Sequence, residues 1–183
     1  MNASETEIII EHALISEANM VLAAKVGGAF KHLQQRVIHR FLERLQDELR
    51  GAFGSDWSVE LETKERGSPY LYARRSSWPE AVNFGIRSDN GCISWVYIYV
   101  TKCGGTFPNG SVDQELEEAL AELGRWKISD HLHFAYPDKH RNWGEQETLV
   151  DLYRANEALE YVKALLIRTR DAVAPIIDRN VSR

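Results

Sequence analysis

The sequence predicts an α+β domain in which helices at both ends of the chain flank an antiparallel sheet. Apolar residues recur at three- or four-residue steps through the first fifty residues, and again from residue 145 to about residue 178. Between these segments the period changes to two, which is typical of half-buried strands. The chain has 183 residues, 44% of them apolar and 27% charged, so a single domain over residues 1–183 accounts for its length.

The N-terminal part, residues 1–54, is predicted to be helical. Its apolar positions are Met20, Ala23, Ala24, Phe30, Leu33, Val37, Phe41, Leu45 and Leu49. Glycine weakens a helix interior, so Gly27 and Gly28 are expected to kink or divide this segment into a bent helix or a helical hairpin. Gly51 and Gly54 are expected to end it.

Residues 55–104 are predicted to form an antiparallel sheet of about four strands. The alternating segments are residues 57–63, 70–72, 82–86 and 93–99. Asn90 and Gly91 lie between the last two segments and favour a tight hairpin. Val96, Ile98 and Val100 lie on the reverse face of the fourth strand. We therefore expect that strand to be central, with both of its faces covered.

Residues 105–183 are predicted to hold two helices and a long connection. Ser111 and Gln114 have the spacing of a capping box, and Gly124 is expected to end the helix that they begin. The second helix runs from Glu145 to about residue 178, with Pro175 in its last turns. The connection, residues 125–143, carries three of the six histidines and two of the five tryptophans. Long connections in compact domains are frequently functional, so we expect function here.

Composition excludes several classes of protein. The net charge of −5 argues against a strongly basic nucleic-acid binder but leaves room for a local basic patch. No segment has the pattern of a secretory signal or the roughly 20 apolar residues of a membrane span. The two cysteines, Cys92 and Cys103, are too few for a disulfide framework and are interpreted as small apolar residues. These features predict a cytoplasmic protein.

Three segments resemble the C-terminal region of a bacterial and phage family in the PD-(D/E)XK nuclease superfamily. They are HALISEANMVLAAKVGGAF, the strand from Trp78-Pro79 to Phe84-Gly85-Ile86, and the stretch from Trp126 through HRNW to the terminal helix. In that family a nuclease core is followed by an α+β region, and the resemblance covers only the α+β region. It implies an accessory module that binds nucleic acid or a protein partner, in restriction or phage defence.

A nuclease site of this superfamily needs a carboxylate on one strand and an E-x-K on the next, which together hold Mg²⁺ and activate water. Glu62-Thr63-Lys64 has the second pattern, with Glu60 on the same strand. The partner acid is missing, because only helix precedes this strand and Asp56 lies at its own start. We therefore interpret these residues as an exposed strand face. We predict no catalytic residue and no cofactor, with Mg²⁺ or Mn²⁺ relevant only if a nuclease site is present.

Potential metal ligands cluster in the connection. They are Asp130, His131, His133, Asp138 and His140. His131 and His133 project to the same side of an extended segment, and imidazole with carboxylate suits zinc or manganese. The spacing matches no metallo-hydrolase motif, because Asp138 and His140 come too late. The interpretation that we favour is a loop whose apolar residues pack inward, with no metal bound.

Basic residues recur along the polar face of the N-terminal helical part, and more follow in the connection. The predicted contacts to DNA, RNA or a protein partner are Arg36, Arg40, Arg44, Lys139, His140, Arg141 and Trp143. Cations beside an aromatic ring can hold phosphates while the ring stacks on a base. The alternative is a solvated helix face on which neighbouring acids balance the arginines.

Aromatic residues are dense in the predicted sheet. They include Tyr70, Tyr72, Trp78, Trp95, Tyr97 and Tyr99. If helices cover this face, the rings are core; if the face is open, they form a stacking platform or a docking surface. The favoured function is a non-catalytic accessory module that binds nucleic acid or a protein partner. The alternatives are an inhibitor- or immunity-type protein-binding module and, third, a metal-dependent nuclease or hydrolase.

Overall fold

Helices and one antiparallel sheet make up the chain, which confirms the predicted α+β class. The structure, a computed structural model, describes residues 3–63, 69–88, 95–103 and 111–181. The chain divides into two compact units, Met1–Arg36 and Val37–Arg183. The first unit contains α1 (Ala3–Leu14) and the beginning of α2 (Glu17–Phe53).

The chain does not divide at Gly27 and Gly28, because both glycines lie within the single helix α2. Gly51 also lies within this helix and does not end it. The helix ends at Phe53, and the next residue, Gly54, has a φ of 84°, in the left-handed region that glycine adopts without steric cost.

In the described residues the sheet has six strands, two more than the sequence predicted. They are β1 (Trp57–Glu62), β2 (Tyr70–Arg75), β3 (Phe84–Ser88), β4 (Val96–Thr101), β5 (Lys127–Ile128) and β6 (Leu132–Ala135). Their order is β1-β2-β3-β4-β6-β5, and all neighbours are antiparallel. The two additional strands come from the connection that was predicted to be a loop. They have two and four residues, too few for an alternating pattern to be recognised.

The strands β3 and β4 pair antiparallel from Ser88, which is opposite Val96, to Phe84, which is opposite Val100. Asn90 and Gly91, which were expected to form the turn between them, lie outside the described residues. All residues from Val96 to Val100 are buried, and β4 lies between two other strands, as predicted for a central strand.

Three further helices follow: α3 (Val112–Ala121), α4 (Gln146–Arg154) and α5 (Asn156–Val181). The predicted long terminal helix is therefore two helices, separated at Ala155 by a left-handed φ of 63°. Pro175 lies within α5 and does not end it. The predicted capping box at Ser111 is not formed, because the Gln114 amide donates to Glu118 instead. No helix in the described part of the chain is long and apolar enough to span a membrane.

One face of the sheet, the inner face, joins the helices in a single hydrophobic core. Its apolar members include Val59, Leu71, Ala73, Phe84, Ile86, Val96, Ile98 and Val100. The buried apolar residues of α2, α3, α4 and α5 all belong to this same core. Asp178 of α5 accepts hydrogen bonds from Trp78 Nε1 at 2.8 Å and from Arg75, which ties α5 to the end of β2.

Candidate functional site on the outer face of the sheet

The opposite face of the sheet, the outer face, is polar and aromatic. It is formed by Glu60, Glu62, Tyr70, Tyr72, Arg87, Trp95, Tyr97, Tyr99, Lys127, Phe134 and Tyr136. None of these residues belongs to the hydrophobic core, to which the buried apolar residues of the helices belong. Side chains alternate between the two faces along a strand. The aromatic residues of β4 are therefore on the outer face, and its valines and isoleucine are on the inner face. The helices therefore pack on the inner face.

One row of residues crosses all six strands of this face. The row runs Glu60, Tyr72, Gly85, Tyr99, Phe134, Lys127, each opposite the next. Gly85 leaves no side chain over β3, and the Tyr99 hydroxyl reaches across the strand to donate to Asn83 at 3.0 Å. Tyr99 is only 3% exposed, and burial holds the pKa of its phenol far above the usual range. Tyr99 is therefore a structural residue of this face.

Trp78 departs from the prediction that placed it with the tyrosines. It is 3% exposed in the core, with its ring centroid 5.1 Å from that of Trp57. Its indole N–H is satisfied by Asp178, so Trp78 is not part of the outer face.

Acids and tyrosines pair at the β1–β2 side of the outer face. Tyr72 donates to Glu60 at 3.0 Å, and Tyr70 donates to Glu62. Hydrogen bonds from Ser58 and then Tyr72 lower the pKa of Glu60. Burial, followed by the bond to Glu62, raises the pKa of Tyr70 to about 12. At neutral pH these bonds keep the Glu60 carboxylate ionised and the phenols of Tyr70 and Tyr72 protonated.

The β4–β6–β5 side of the outer face carries cations on aromatic rings. We call Trp95, Lys127, Phe134, Tyr136 and Arg141 the aromatic–basic patch. The Arg141 guanidinium lies 4.3 Å from the ring centroid of Trp95 and 4.4 Å from that of Tyr136, so it interacts with both. The Lys127 ammonium is 5.4 Å from the Tyr136 ring. Such contacts each contribute about 0.5–1 kcal/mol at exposed sites and hold the cation in one place.

The backbone brings Arg141 to this patch. Its carbonyl accepts the Val96 N–H at 2.9 Å, which fastens the loop after β6 beside the start of β4, next to Trp95. His140 precedes it with a φ of 54°, a left-handed conformation that turns the chain at this point. Trp95 is 43% exposed and Arg141 is also exposed, so both are available to a partner.

The other residues predicted from the connection have different positions. The Lys139 side chain is exposed, while its backbone N–H donates to the Tyr161 hydroxyl at 3.2 Å. His140 is half-buried, with Nδ1 3.7 Å from Asp151 Oδ2. Trp143, which was predicted to contact a partner, is buried in the core. Its ring is 3% exposed and packs edge-on against Phe41 in the core, at 5.5 Å between centroids.

The helical arginines are exposed but do not form one described group. Arg36 belongs to the first unit, and Arg40 and Arg44 belong to the second. The acids around them take part in other pairs; Glu43, for example, lies 3.3 Å from His39. Partner binding by these three arginines stays a prediction.

The structure separates the histidines that were considered as metal ligands. Asp130 and His131 are exposed, whereas His133 is 2% exposed on the inner face. His133 Nε2 lies 3.7 Å from Asp113 Oδ1, which already accepts the Cys103 N–H at 2.7 Å. Burial lowers the pKa of His133 more than Asp113 raises it, so the imidazole is neutral. Within the described ranges, no three His, Cys, Asp or Glu side chains are grouped to hold a metal ion.

Two other chemical candidates fall partly outside the described residues. Lys64 of the E-x-K pattern and Cys92 are among the residues that are not described. The Glu62 carboxylate accepts a hydrogen bond from the Tyr70 hydroxyl. Burial, and then Asp113, raises the pKa of the Cys103 thiol to about 12, so at neutral pH it is an unreactive thiol.

Chemically, the aromatic–basic patch combines an exposed indole ring at Trp95 with two exposed cations, Lys127 and Arg141, that lie against aromatic rings. Arg141 was predicted from sequence, and Trp95 belonged to the aromatic set. Lys127, Phe134 and Tyr136 were not predicted to belong to this group. Their only sequence signal is the two-residue spacing of Leu132, Phe134 and Tyr136, which is too short a run to distinguish a strand from a loop.

Comparison of the chain with protein-family models, with curated proteins and with solved structures gave no match. The resemblance to the accessory region of a nuclease-superfamily family therefore stays a prediction.

Proposed function

We propose that this protein is a non-catalytic binding module that holds single-stranded nucleic acid on the outer face of its sheet. The observation that carries the proposal is the guanidinium of Arg141, which contacts both the exposed Trp95 ring and the Tyr136 ring. Unpaired bases stack on aromatic rings and on arginine planes, and Arg and Lys side chains contact the phosphates beside them. Consistent with the predicted resemblance, its context would be restriction or phage defence in the cytoplasm.

The geometry favours single strands over duplexes. An exposed aromatic ring on a sheet can stack on an unpaired base, whereas both faces of a base inside a duplex are already stacked on neighbouring bases.

The charges also favour one path across the face. Phosphates are attracted by Lys127 and Arg141, and they are repelled by Glu60 and Glu62 at the far side. The strand would therefore follow the β4–β6–β5 side, with a base stacked on the exposed ring of Trp95.

A protein partner is the second candidate. Tryptophan, tyrosine and arginine are the residue types that dominate protein-binding hot spots, and the aromatic–basic patch contains all three. The net charge of −5 suits a protein partner at least as well as a polyanion. An inhibitor- or immunity-type module would use the same residues.

The proposal is tested by fluorescence anisotropy with labelled single- and double-stranded DNA and RNA over a range of salt concentrations. Stacking contributes about 1–3 kcal/mol per base, so Trp95→Ala should weaken single-strand binding roughly five- to 150-fold. Arg141→Ala should weaken it and reduce the slope of log K against log salt by about one. Duplexes should bind more weakly than single strands of equal length.

Matched controls exist on the helices. Tyr153 is 66% exposed on α4, and Arg168 is exposed on α5. Tyr153→Ala and Arg168→Ala remove an exposed ring and an exposed cation away from the sheet, and both should leave the affinity unchanged. Equal losses in the patch variants and the controls, or no salt-dependent binding by the wild type, would exclude the nucleic-acid proposal and favour a protein partner.

The same titrations test the remaining predictions. Reversal of charge at Arg36, Arg40 and Arg44 lowers the affinity if these arginines contact phosphates.

Cleavage is tested separately: the recovered probe is run on a gel after addition of Mn²⁺. An intact probe agrees with a non-catalytic module, whereas cleavage would return Glu62 and Lys64 to consideration as nuclease residues.

A further inference from the structure

Tyr70 holds a cation and a carboxylate close together on the outer face of the sheet. The Arg87 guanidinium lies 6.0 Å from the centroid of the Tyr70 ring, and the Tyr70 hydroxyl donates a hydrogen bond to Glu62. The three residues come from neighbouring strands: Glu62 from β1, Tyr70 from β2 and Arg87 from β3. All three are half-buried, so the group is supported by its surroundings and can still be reached from solvent.

Arg87 repeats the arrangement of Arg141 in the aromatic–basic patch. Its guanidinium also lies 5.9 Å from the centroid of the Tyr97 ring, so it contacts two aromatic rings, as Arg141 does. The Tyr97 ring is in turn 6.2 Å from the Tyr136 ring, against which Arg141 lies. A series of ring contacts therefore leads from the patch to Arg87. The two arginines can contact neighbouring nucleotides of one strand.

The two acids of β1 differ in their remaining capacity to accept hydrogen bonds. Both carboxylate oxygens of Glu60 accept a bond, one from Ser58 at 2.6 Å and the other from Tyr72 at 3.0 Å. The bond from Tyr70 reaches Oε2 of Glu62, and among the described residues no donor is bonded to its Oε1. An ionised carboxylate acts only as an acceptor. Glu62 is therefore the acid that can accept further bonds from N–H groups of a ligand.

Guanine is the base whose edge matches a guanidinium and a carboxylate together. It presents two neighbouring acceptors, N7 and O6, which a guanidinium binds bidentately, and beside them two donors, N1–H and the N2 amine. We propose that Arg87 and Glu62 form a guanine subsite, in which Arg87 donates to N7 and O6 and Glu62 accepts from N1–H and the N2 amine. The subsite rests on the proposed function, because the base belongs to the single strand held by the aromatic–basic patch.

The charges select a base over a phosphate at this position. Arg87 alone would attract a phosphate, but Glu62 and Glu60 on the neighbouring side repel one. A neutral base is not repelled, and it can bond to the cation and to the carboxylate. Adenine fits less well than guanine, because it carries an amine where guanine carries O6 and so sets a donor against the guanidinium.

The subsite is tested by fluorescence anisotropy with short labelled thymidine strands that carry one central guanine, adenine, hypoxanthine or 7-deazaguanine. The guanine strand should bind the wild type roughly five- to 150-fold more tightly than the adenine strand, the range for a well-formed bidentate contact. Hypoxanthine lacks the N2 amine that Glu62 accepts, and 7-deazaguanine lacks the N7 acceptor for Arg87. Each of these two bases should therefore lose part of the preference. The altered bases test the subsite in the wild-type protein, without any substitution.

Substitutions then assign each contact to its residue. Glu62→Ala should abolish the discrimination between guanine and hypoxanthine, and Arg87→Ala should abolish the discrimination between guanine and 7-deazaguanine. Glu60→Ala is the matched control, because it removes an acid of the same strand whose two oxygens are already bonded. It should leave both ratios unchanged. Ratios of affinities are compared, so a general loss of phosphate attraction in Arg87→Ala does not enter the result.

The outcomes separate this inference from the proposed function. Equal affinity for the guanine and adenine strands, or a guanine preference that survives both Glu62→Ala and Arg87→Ala, would overturn the subsite. The proposed function would stand in that case, because the strands would still bind. A wild type that binds none of the strands would overturn the proposed function, and the subsite with it.

Discussion

His133 shows how one residue can be misjudged from its sequence neighbours. His133 stands two residues after His131 in the sequence, and such a pair suggests a metal site. In the structure His131 is exposed, whereas His133 is buried because its side chain lies on the inner face of β6. Its Nε2 is buried with no hydrogen-bond partner among the described residues, and Asp113 lies just beyond bonding distance. The imidazole borders a cavity of about 630 Å³ that Asp113 and Glu117 also line. A neutral histidine is tolerated there, whereas a protonated one is penalised by burial.

This environment predicts a pH dependence of stability. The unfolded chain protonates His133 near pH 6.5, and the folded chain does so only at lower pH because burial lowers the pKa. Below about pH 6.5 the unfolded state therefore binds more protons, and the free energy of unfolding falls as the pH is lowered. His133→Leu should flatten this acid-side decrease in urea titrations between pH 7 and pH 5. The exposed His131→Leu should retain it, and equal slopes for both variants would contradict the assignment.

At the scale of elements, β3 fits between β2 and β4 only because Gly85 has no side chain. A Cβ at this position would lie 2.0 Å from the Leu71 carbonyl oxygen and 2.7 Å from the Tyr72 Cα. Both atoms are backbone atoms of β2, which cannot move without disrupting the ladder. Tyr99 crosses the strand at this point, as its bond to Asn83 shows. The glycine thus sets the spacing of two strands beneath the outer face.

We expect Gly85→Ala to lower the free energy of unfolding by at least about 3 kcal/mol, the upper end of ordinary overpacking effects. Gly51→Ala is the control, because Gly51 lies within α2 and an added Cβ meets no atom within 4 Å. Alanine is the better helix former by about 1 kcal/mol, so this variant should be more stable than the wild type. Denaturant unfolding measures both. A Gly85→Ala protein as stable as the wild type would show that β2 can move away.

At the scale of the whole molecule, the two units differ in how their helices are covered. The second unit buries its apolar residues within its own core, and the first unit exposes them. Because no side chain from residue 8 to residue 36 is buried, the backbone amides of this segment should be less protected from exchange than those of β4 and α5. Hydrogen exchange should show faster exchange in residues 17–36 than in β4 or α5, and equal protection of the three segments would contradict this expectation.

Much of this architecture was determined by the sequence alone. A three- to four-residue apolar period predicted the helices at both ends, and a two-residue period predicted the first four strands, because each period reports which face of a local element is buried. That signal fails for strands of two and four residues, so β5 and β6 were taken as loop. It also failed at Ala155, because nothing in the local pattern required a left-handed residue there.

The candidate site depended more on tertiary structure. The sequence supplied Arg141 and the aromatic set, but it could not distinguish Trp95, which is exposed, from Trp78 and Trp143, which are buried. Their exposure is decided by contacts with distant parts of the chain: Trp78 packs on Trp57 and Trp143 packs on Phe41. The sequence by itself therefore determined the elements and their buried faces, which follow from local periodicity. Only the tertiary structure decided which rings and cations meet, because contacts between β4, β6 and the loop after β6 join residues far apart in the chain.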